Sequence, residues 1–525
     1  MTIQEKISGG MTYLGIELGS TRIKATLIDD TFAPIAGGSF GWENRLENGY
    51  WTYSLDDIHG GVQACYADLK KDVSEKYGIK LEKLGAVGIS AMMHGYMAFD
   101  SSGKLLVPFR TWRNTTTEAA ATELTKLLGF NIPQRWSIAH LYQAILNGEP
   151  HLPEIAYINT LAGYVHYLLT GKRVLGVGDA SGMFPISGGN YDEAMLAKFS
   201  EAAASHGFKQ DIHALLPEVL SAGENAGALT EAGAKFLDPD GDLKAGVPVC
   251  PPEGDAGTGM AATNAVLPKT GNVSAGTSVF SMLVLEKPLS GVYPEIDIVT
   301  TPDGAPVAMV HCNNCCSELD AWIKLFDEFA KLSGHPVDKG DLYQMLYENT
   351  LKGDADCGGV VAYNYLSGEP VTGIRSGRPM YFRQPDGNMN LANFFRAELY
   401  ASVAALRSGM DILFGKEKVN AEQFTGHGGL FKVEGVAQQY LADALNTPVS
   451  TMKTAGEGGS WGMALLAAFM ICGKGKTLPE WLDTSVFVGM EKRTAKPVQS
   501  GVDGFAKYME RYNAGLDAEK KLENV

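Results

Sequence analysis

Alternation of apolar and polar positions near the start of the chain predicts two strands joined by a tight turn. Leu14-Gly15-Ile16-Glu17-Leu18 leads through Gly19-Ser20-Thr21 into Ile23-Lys24-Ala25-Thr26-Leu27-Ile28. The pattern returns past the middle, where Gly271-Asn272-Val273-Ser274-Ala275 leads through Gly276-Thr277-Ser278 into Val279 to Val284. After the first hairpin a third strand is expected over Ile35 to Trp42, then a helix from an N-cap at Ser54 to Leu69, with Asp56 and Asp57 in its first turn. The apolar run Leu84 to Ser90 reads as a buried strand, and helices are expected over Thr116 to Leu128 and Ile155 to Leu169. Beyond the loop Pro248 to Gly257 the second hairpin is followed by a strand around Ala308 to Val310. Helices are then expected over 317–332, 391–414, 433–445 and 461–470, with a charged helical tail over 503–522. Strands and helices in this alternation indicate an α/β protein with helices covering mixed sheets. The repeated hairpin indicates two similar halves meeting at a hinge near Pro251-Pro252, with no low-complexity linker.

A chain of 525 residues has room for two large cores. Its 44 basic and 60 acidic residues give a net charge of -16, with no concentrated basic patch, which argues against nucleic-acid or anionic-membrane partners. Met1 to Gly10 lacks the apolar core of a signal peptide, and the longest apolar stretch, Trp461 to Cys472, falls short of the ~20 residues that span a bilayer. A cytoplasmic protein is expected. Seven cysteines without a secretion signal read as reduced thiols. In the one cluster, Cys312, Cys315 and Cys316 lack the second paired half that a closed zinc site uses, so a strand-to-helix turn with small buried thiols is the reading.

The chemistry lies in the turns. Glycine lets backbone N–H groups approach an anion, and adjacent hydroxyls add donors, so each hairpin turn is either a phosphate-holding device or an ordinary tight turn. Two more glycine-rich segments, Thr425-Gly426-His427-Gly428-Gly429-Leu430 and Ala455-Gly456-Glu457-Gly458-Gly459, precede helices, where anions are well seated. A P-loop is excluded, because Gly475-Lys476-Thr477 has Met470 in place of the first glycine and no strand before it. No Gly-x-Gly-x-x-Gly follows a strand, which removes a dinucleotide fold. In Pro252-Glu253-Gly254-Asp255-Ala256-Gly257, Asp255 sits on a glycine-flanked loop. It suits the general base that takes a hydroxyl proton in phosphoryl transfer, and equally a cap for a helix over Gly257 to Val266.

The ordered set Glu17-Leu18-Gly19-Ser20-Thr21, Ile89-Ser90-Ala91-Met92-Met93-His94-Gly95, Gly254-Asp255-Ala256, Ala275-Gly276-Thr277-Ser278, Tyr365-Leu366-Ser367-Gly368-Glu369 and Gly426-His427-Gly428-Gly429 resembles the FGGY family of carbohydrate kinases, closest to its xylulose-kinase branch. The resemblance runs from Tyr13 to the helix at Trp461. It implies two actin-like, ribonuclease-H-type domains around a cleft, 11–256 on the sugar side and 257–500 on the ATP side, followed by the tail 501–525. By the same resemblance Asp255 is the base, and Gly276, Thr277 and Ser278 hold the transferring phosphoryl group. Gly428, Gly429 and the loop ending in Gly458 and Gly459 border the adenosine, and Gly19, Ser20 and Thr21 form the other phosphate turn. Met93, His94, Trp112 and Asn114 line the sugar pocket beside Asp255, and Glu17 serves the Mg²⁺ that accompanies ATP. Read without the family, His94 is a satisfied half-buried histidine and Trp112 a core residue.

Four positions depart from that pattern. Glu17 replaces an Asp, Met92 a Gln and Ala256 an Asn, and Asn114 stands where an Asp commonly follows the tryptophan. The implied activity is ATP-dependent phosphorylation of a ketopentose such as xylulose, with ribulose, gluconate or a polyol as alternative substrates. A non-catalytic sugar binder and an actin-like ATPase are the rival classes. The resemblance also implies a homodimer.

Overall fold

The structure, a computed structural model, describes residues 1–452 and 458–523. It divides into two compact units, the first formed by Met1–Val266, Ile298–Val307 and Glu457–Gly489, the second by Leu267–Asp297, Ala308–Gly456 and Met490–Val525.

The first unit is built on a five-stranded sheet in the order Glu253–Gly254, Ala86–Ala91, Tyr13–Leu18, Arg22–Ile28, Pro34–Gly41. The last three form an antiparallel meander, while Ala86–Ala91 and Glu253–Gly254 add in parallel. Leu14, Ile16, Leu18, Ile23, Leu27 and Ile89 are fully buried, the result of a strand set covered on both faces. On one face helix Leu55–Tyr77 packs against Pro34–Gly41, so closely that a Cβ on Gly38 would lie 2.3 Å from the Cys65 carbonyl. On the other, helix Gly459–Cys472 lies on Tyr13–Leu18, where a Cβ on Gly15 would lie 2.1 Å from the Ser460 carbonyl. Glycines at these two points let helix and strand backbones touch.

The second unit repeats the plan. Thr270–Ala275 and Val279–Val284 form an antiparallel hairpin, Gln423–His427 and Val449–Met452 add in parallel, and Lys492–Ala495 closes that edge. Helix Leu391–Asp411 is buried along most of its length and lies on Val279–Val284 and Val360–Tyr363. Both expected hairpins are therefore present, and each joins a parallel strand from elsewhere in the chain as a ribonuclease-H-type sheet requires.

Several expected elements change. The helix closes a capping box between Ser54, its N-cap, and Asp57 three residues on, and continues to Tyr77, where Gly78 ends it in the left-handed region. The helix expected over 155–169 is a strand, Tyr157–Asn159, followed by helix Leu161–Thr170. The strand forms because it pairs with Met97–Phe99, a partner about sixty residues away that local periodicity does not reveal. The tail helix begins earlier, at Gln499. Among the described residues no helix is long and apolar enough to cross a membrane.

Candidate active site

In the first unit the sheet delivers two carboxylates to one place. Glu17 is the penultimate residue of Tyr13–Leu18 and lies opposite Lys24 on one side and Ser90 on the other. The short strand Glu253–Gly254 pairs with Ser90 and Ala91, and Asp255 follows it directly as the first residue of helix Asp255–Ala262. This corrects the expected loop. Gly254 is the N-cap and Asp255 already helical, so its carboxylate complements the helix dipole without capping. The Met93 N–H donates to Asp255 Oδ1 at 3.3 Å. Burial raises the Asp255 carboxyl to about 6, against the pull of N–H groups from Met93 and Ala256. Burial and then the Asp255 charge raise Glu17 to about 7, with Lys24 and the Ser460 N–H acting in the opposite direction.

Beside Asp255 the chain bends sharply. His94 has φ 69° and Gly95 φ 86°, both left-handed, a costly conformation for a histidine. His94 Nδ1 lies 3.1 Å from the Gly182 carbonyl oxygen, and a Cβ on Gly182 would lie 2.6 Å from that nitrogen. Met93 and His94 therefore stand with Asp255 at one end of the sheet.

Two further acids join them that the sequence reading passed over. Asp179 Oδ2 accepts the Thr160 hydroxyl at 2.6 Å, and its Oδ1 has no hydrogen-bond partner among the described residues. Glu253 accepts N–H groups from Gly178 at 3.2 Å and Asp179 at 2.9 Å. Burial, followed by the Asp255 charge, raises Asp179 to about 7, and burial with the Asp179 charge raises Glu253 to about 8. Glu253 was visible two residues before Asp255. Asp179, in Gly178-Asp179-Ala180-Ser181-Gly182, had no periodicity or spacing to mark it.

Glycine shapes the other wall. Gly458, at φ 75°, precedes helix Gly459–Cys472, and a Cβ on Gly459 would meet Glu17 Oε1 at 2.4 Å and Thr258 Oγ1 at 2.8 Å. Thr258 Oγ1 in turn lies 3.2 Å from Ser90 Oγ. The part of the expected adenosine loop at 455–457 lies outside the described residues.

The first hairpin turn closes with the Gly19 N–H donating to the Arg22 carbonyl at 3.0 Å. Tyr53 donates to the Ser20 carbonyl at 2.5 Å, the Trp42 N–H donates to the Thr21 carbonyl at 3.2 Å, and Trp112 Nε1 reaches Ser20 Oγ at 3.3 Å. Asn114, expected against the sugar, is buried with its amide engaged: Oδ1 accepts the Trp51 N–H at 2.8 Å, and Nδ2 donates to the Trp51 and Thr111 carbonyls at 2.9 Å. Its side chain holds the Trp51 strand in place.

In the second unit the Gly276–Ser278 turn is braced from behind, the Cys315 N–H donating to the Thr277 carbonyl and the Cys316 N–H to the Gly276 carbonyl, each at 3.0 Å. Gly428 has φ 103°, and a Cβ there would lie 2.4 Å from the Ala275 carbonyl oxygen. Only glycine suits both its dihedral and that approach. The structure thus brings Gly428 against the end of the hairpin that carries Gly276 and Thr277. Thr277, Gly428 and Gly429 are exposed there, and a Cβ on Gly276 or Gly429 would meet nothing within 4 Å.

Sequence profiles of the FGGY family of carbohydrate kinases match twice, the N-terminal domain over residues 12–261 and the C-terminal domain over residues 271–471. The chain belongs to this family. As an FGGY carbohydrate kinase it phosphorylates a sugar or polyol hydroxyl at the expense of ATP. The kinase is 22% identical over 519 residues to the xylulose kinase of Haemophilus influenzae, covering 95% of this chain and 98% of that protein. The crystal structure of xylulose kinase from Rhodospirillum rubrum superimposes with a TM-score of 0.77 at 17% identity, covering 98% of this chain and 100% of that one. That of gluconate kinase from Lactobacillus acidophilus gives the same TM-score, 0.77, at 17% identity, covering 97% and 99%. The two structural matches carry the fold, with its paired ribonuclease-H-type domains.

Proposed function

We propose that this FGGY kinase phosphorylates a ketopentose, xylulose before others, with Asp255 as the base that takes the proton of the accepting hydroxyl. The observation that carries the reading is the position of Asp255 at a helix start beside Met93 and His94. The Met93 N–H, donating to Oδ1, helps to orient the carboxylate toward an accepting hydroxyl. The curated relative named a xylulose kinase supports that sugar as the first choice. In this reading Met93, His94 and Trp112 bound the sugar, and Asn114 acts through the Trp51 strand. Gly276, Thr277 and Ser278 receive the γ-phosphate, with Gly428 and Gly429 bordering the nucleotide. Gly19, Ser20 and Thr21 form the second phosphate turn, and Gly458 and Gly459 close over Glu17.

Mg²⁺ belongs to the proposal, and the residues suit it. Among the described residues no group of three acidic, histidine or cysteine ligands could hold a metal ion. Mg²⁺ in kinases binds through one or two carboxylates plus phosphate oxygens and water, and Glu17, raised above its ordinary value by burial, offers one such carboxylate. When bound it would neutralise charge on the transferring phosphoryl group. The longer side chain of Glu17 finds its space where Gly459 has no Cβ.

Burial raises Asp255, Glu17 and Asp179 together, and their mutual repulsion makes them titrate as one array, with Asp255 brought to about 6. A base works ionised. The rate kcat/KM for the sugar should fall as pH drops through about 6 and level off above it. An acid limb near the ordinary carboxylate value, about 4, would contradict the environment described for Asp255.

Initial rates of ADP release should be highest with xylulose in a panel that includes ribulose, gluconate and polyols, with Asp255→Ala as the blank. A higher kcat/KM for another member overturns the sugar. No sugar-dependent release from any member overturns the catalytic reading.

A further inference from the structure

Two adjacent thiols of the second unit lie outside the proposed catalytic machinery. Strand Pro306–Cys312 ends, the chain turns through Asn313 and Asn314, and Cys315 and Cys316 lead into helix Ser317–Leu332. The turn is fixed by Asn314, whose Oδ1 accepts the N–H groups of Leu366 and Ser367, both at 3.0 Å, and by Asn364 Nδ2, which donates to the Cys315 carbonyl at 2.8 Å. It aims both thiols the same way. Cys315 Sγ and Cys316 Sγ are 3.6 Å apart, and both are free. Cys315 is 1% exposed and Cys316 7%. A cavity of about 480 Å³ is bounded by Ser317, the residue after Cys316, and by Asp320, Ala321, Lys324 and Tyr343. On that wall Tyr343 donates its hydroxyl to Asp320 Oδ1 at 2.7 Å.

We propose that Cys315 and Cys316 form a chelating dithiol site for trivalent arsenicals, entered through this cavity and coupled to the Gly276–Ser278 turn. Their separation is one that a single three-coordinate arsenic atom can bridge. With an organoarsenic oxide, the more exposed Cys316 bonds first, and its proton passes to the oxygen on arsenic. Cys315 then forms the second As–S bond, and its proton leaves with that oxygen as water. Arsenic stays trivalent throughout, and nothing is oxidised or reduced. The third valence keeps its organic group, for which the cavity has room. Both cysteines also donate the backbone N–H groups that hold the Thr277 and Gly276 carbonyls, so ligation displaces the turn from behind.

The test uses phenylarsine oxide on the full-length protein. Intact mass should show one phenylarsenic adduct, stable to 2-mercaptoethanol and removed by 2,3-dimercaptopropanol, with phosphoryl transfer lost in step with its formation. Cys316→Ser, which keeps the backbone N–H, should take up none, while Cys472→Ser should still take up one. Cys315→Ser serves in the same way if Cys316→Ser fails to fold by thermal denaturation. No adduct on the folded wild type, or an adduct that persists in Cys316→Ser, overturns the site. A modified enzyme with full activity overturns the coupling. The coupling rests on the phosphate role proposed for Gly276–Ser278, whereas the adduct mass does not, so the two failures are distinguishable.

Discussion

Asp255→Asn should reduce phosphoryl transfer by about 10³-fold or more, toward the upper part of the range for loss of a general base, while ATP binding stays close to that of the wild type. The amide keeps the size of the side chain, and its oxygen can still accept the Met93 N–H, but it cannot take the hydroxyl proton. Stability gives an independent check on the cause. Burial raises the folded-state value of Asp255 to about 6, above the roughly 3.9 of an unfolded aspartate, so its ionised form is disfavoured by folding. A group raised in this way withdraws stability as pH climbs from about 4 through about 6. At pH 8 the variant should therefore melt no lower than the wild type. Near-normal turnover in Asp255→Asn sinks the assignment of the base, and a melting temperature well below that of the wild type would mean that the loss of activity came from misfolding.

The second large effect is structural. In Gly462→Ala the new Cβ would lie 2.0 Å from the Thr258 carbonyl oxygen and 2.8 Å from its carbonyl carbon, helix backbone against helix backbone. No side chain can rotate to relieve that clash, so helices Gly459–Cys472 and Asp255–Ala262 must separate. Overpacking of this kind costs about 1–3 kcal/mol when neighbours can yield, and here the expected loss is about 3 kcal/mol or more. Asp255 rides on one of those helices, so activity should fall with stability. Thermal denaturation decides the point, with Gly429→Ala as the stability control because its Cβ would meet nothing within 4 Å. A Gly462→Ala melting point within about a degree of the wild type would show that the two helices are not packed as described.

The hairpins were legible in the sequence because alternation and a glycine turn are local signals, and both hairpins have the expected strands. The strand Tyr157–Asn159 was not legible, since its reason for existing is Met97–Phe99. The same divide runs through the candidate site. Met93, His94 and Asp255 belong to motifs that announce themselves, and the fold collects them at one end of a sheet. Asp179 and Glu253 gain their meaning from each other, across more than seventy residues of chain, through two backbone N–H donors and burial. Asn114 illustrates the converse. Its type and its place after the tryptophan suggested contact with a substrate, yet the backbone of Trp51 and Thr111 takes up its hydrogen-bonding capacity.

Helix Gly459–Cys472 lies flat on the strand that begins at Tyr13, with Gly15 as the point of closest approach. On the ribosome, that strand emerges more than four hundred residues before the helix that covers it. The sheet of the first unit can pair its edges early, but one face has nothing to bury it until nearly the whole polypeptide has been made. For most of synthesis the face that carries Tyr13, Gly15, Thr26 and Gly88 stays an unfinished surface, the kind that holdase chaperones recognise. A fragment ending at Val266 would retain every strand of that sheet and still lack its lid.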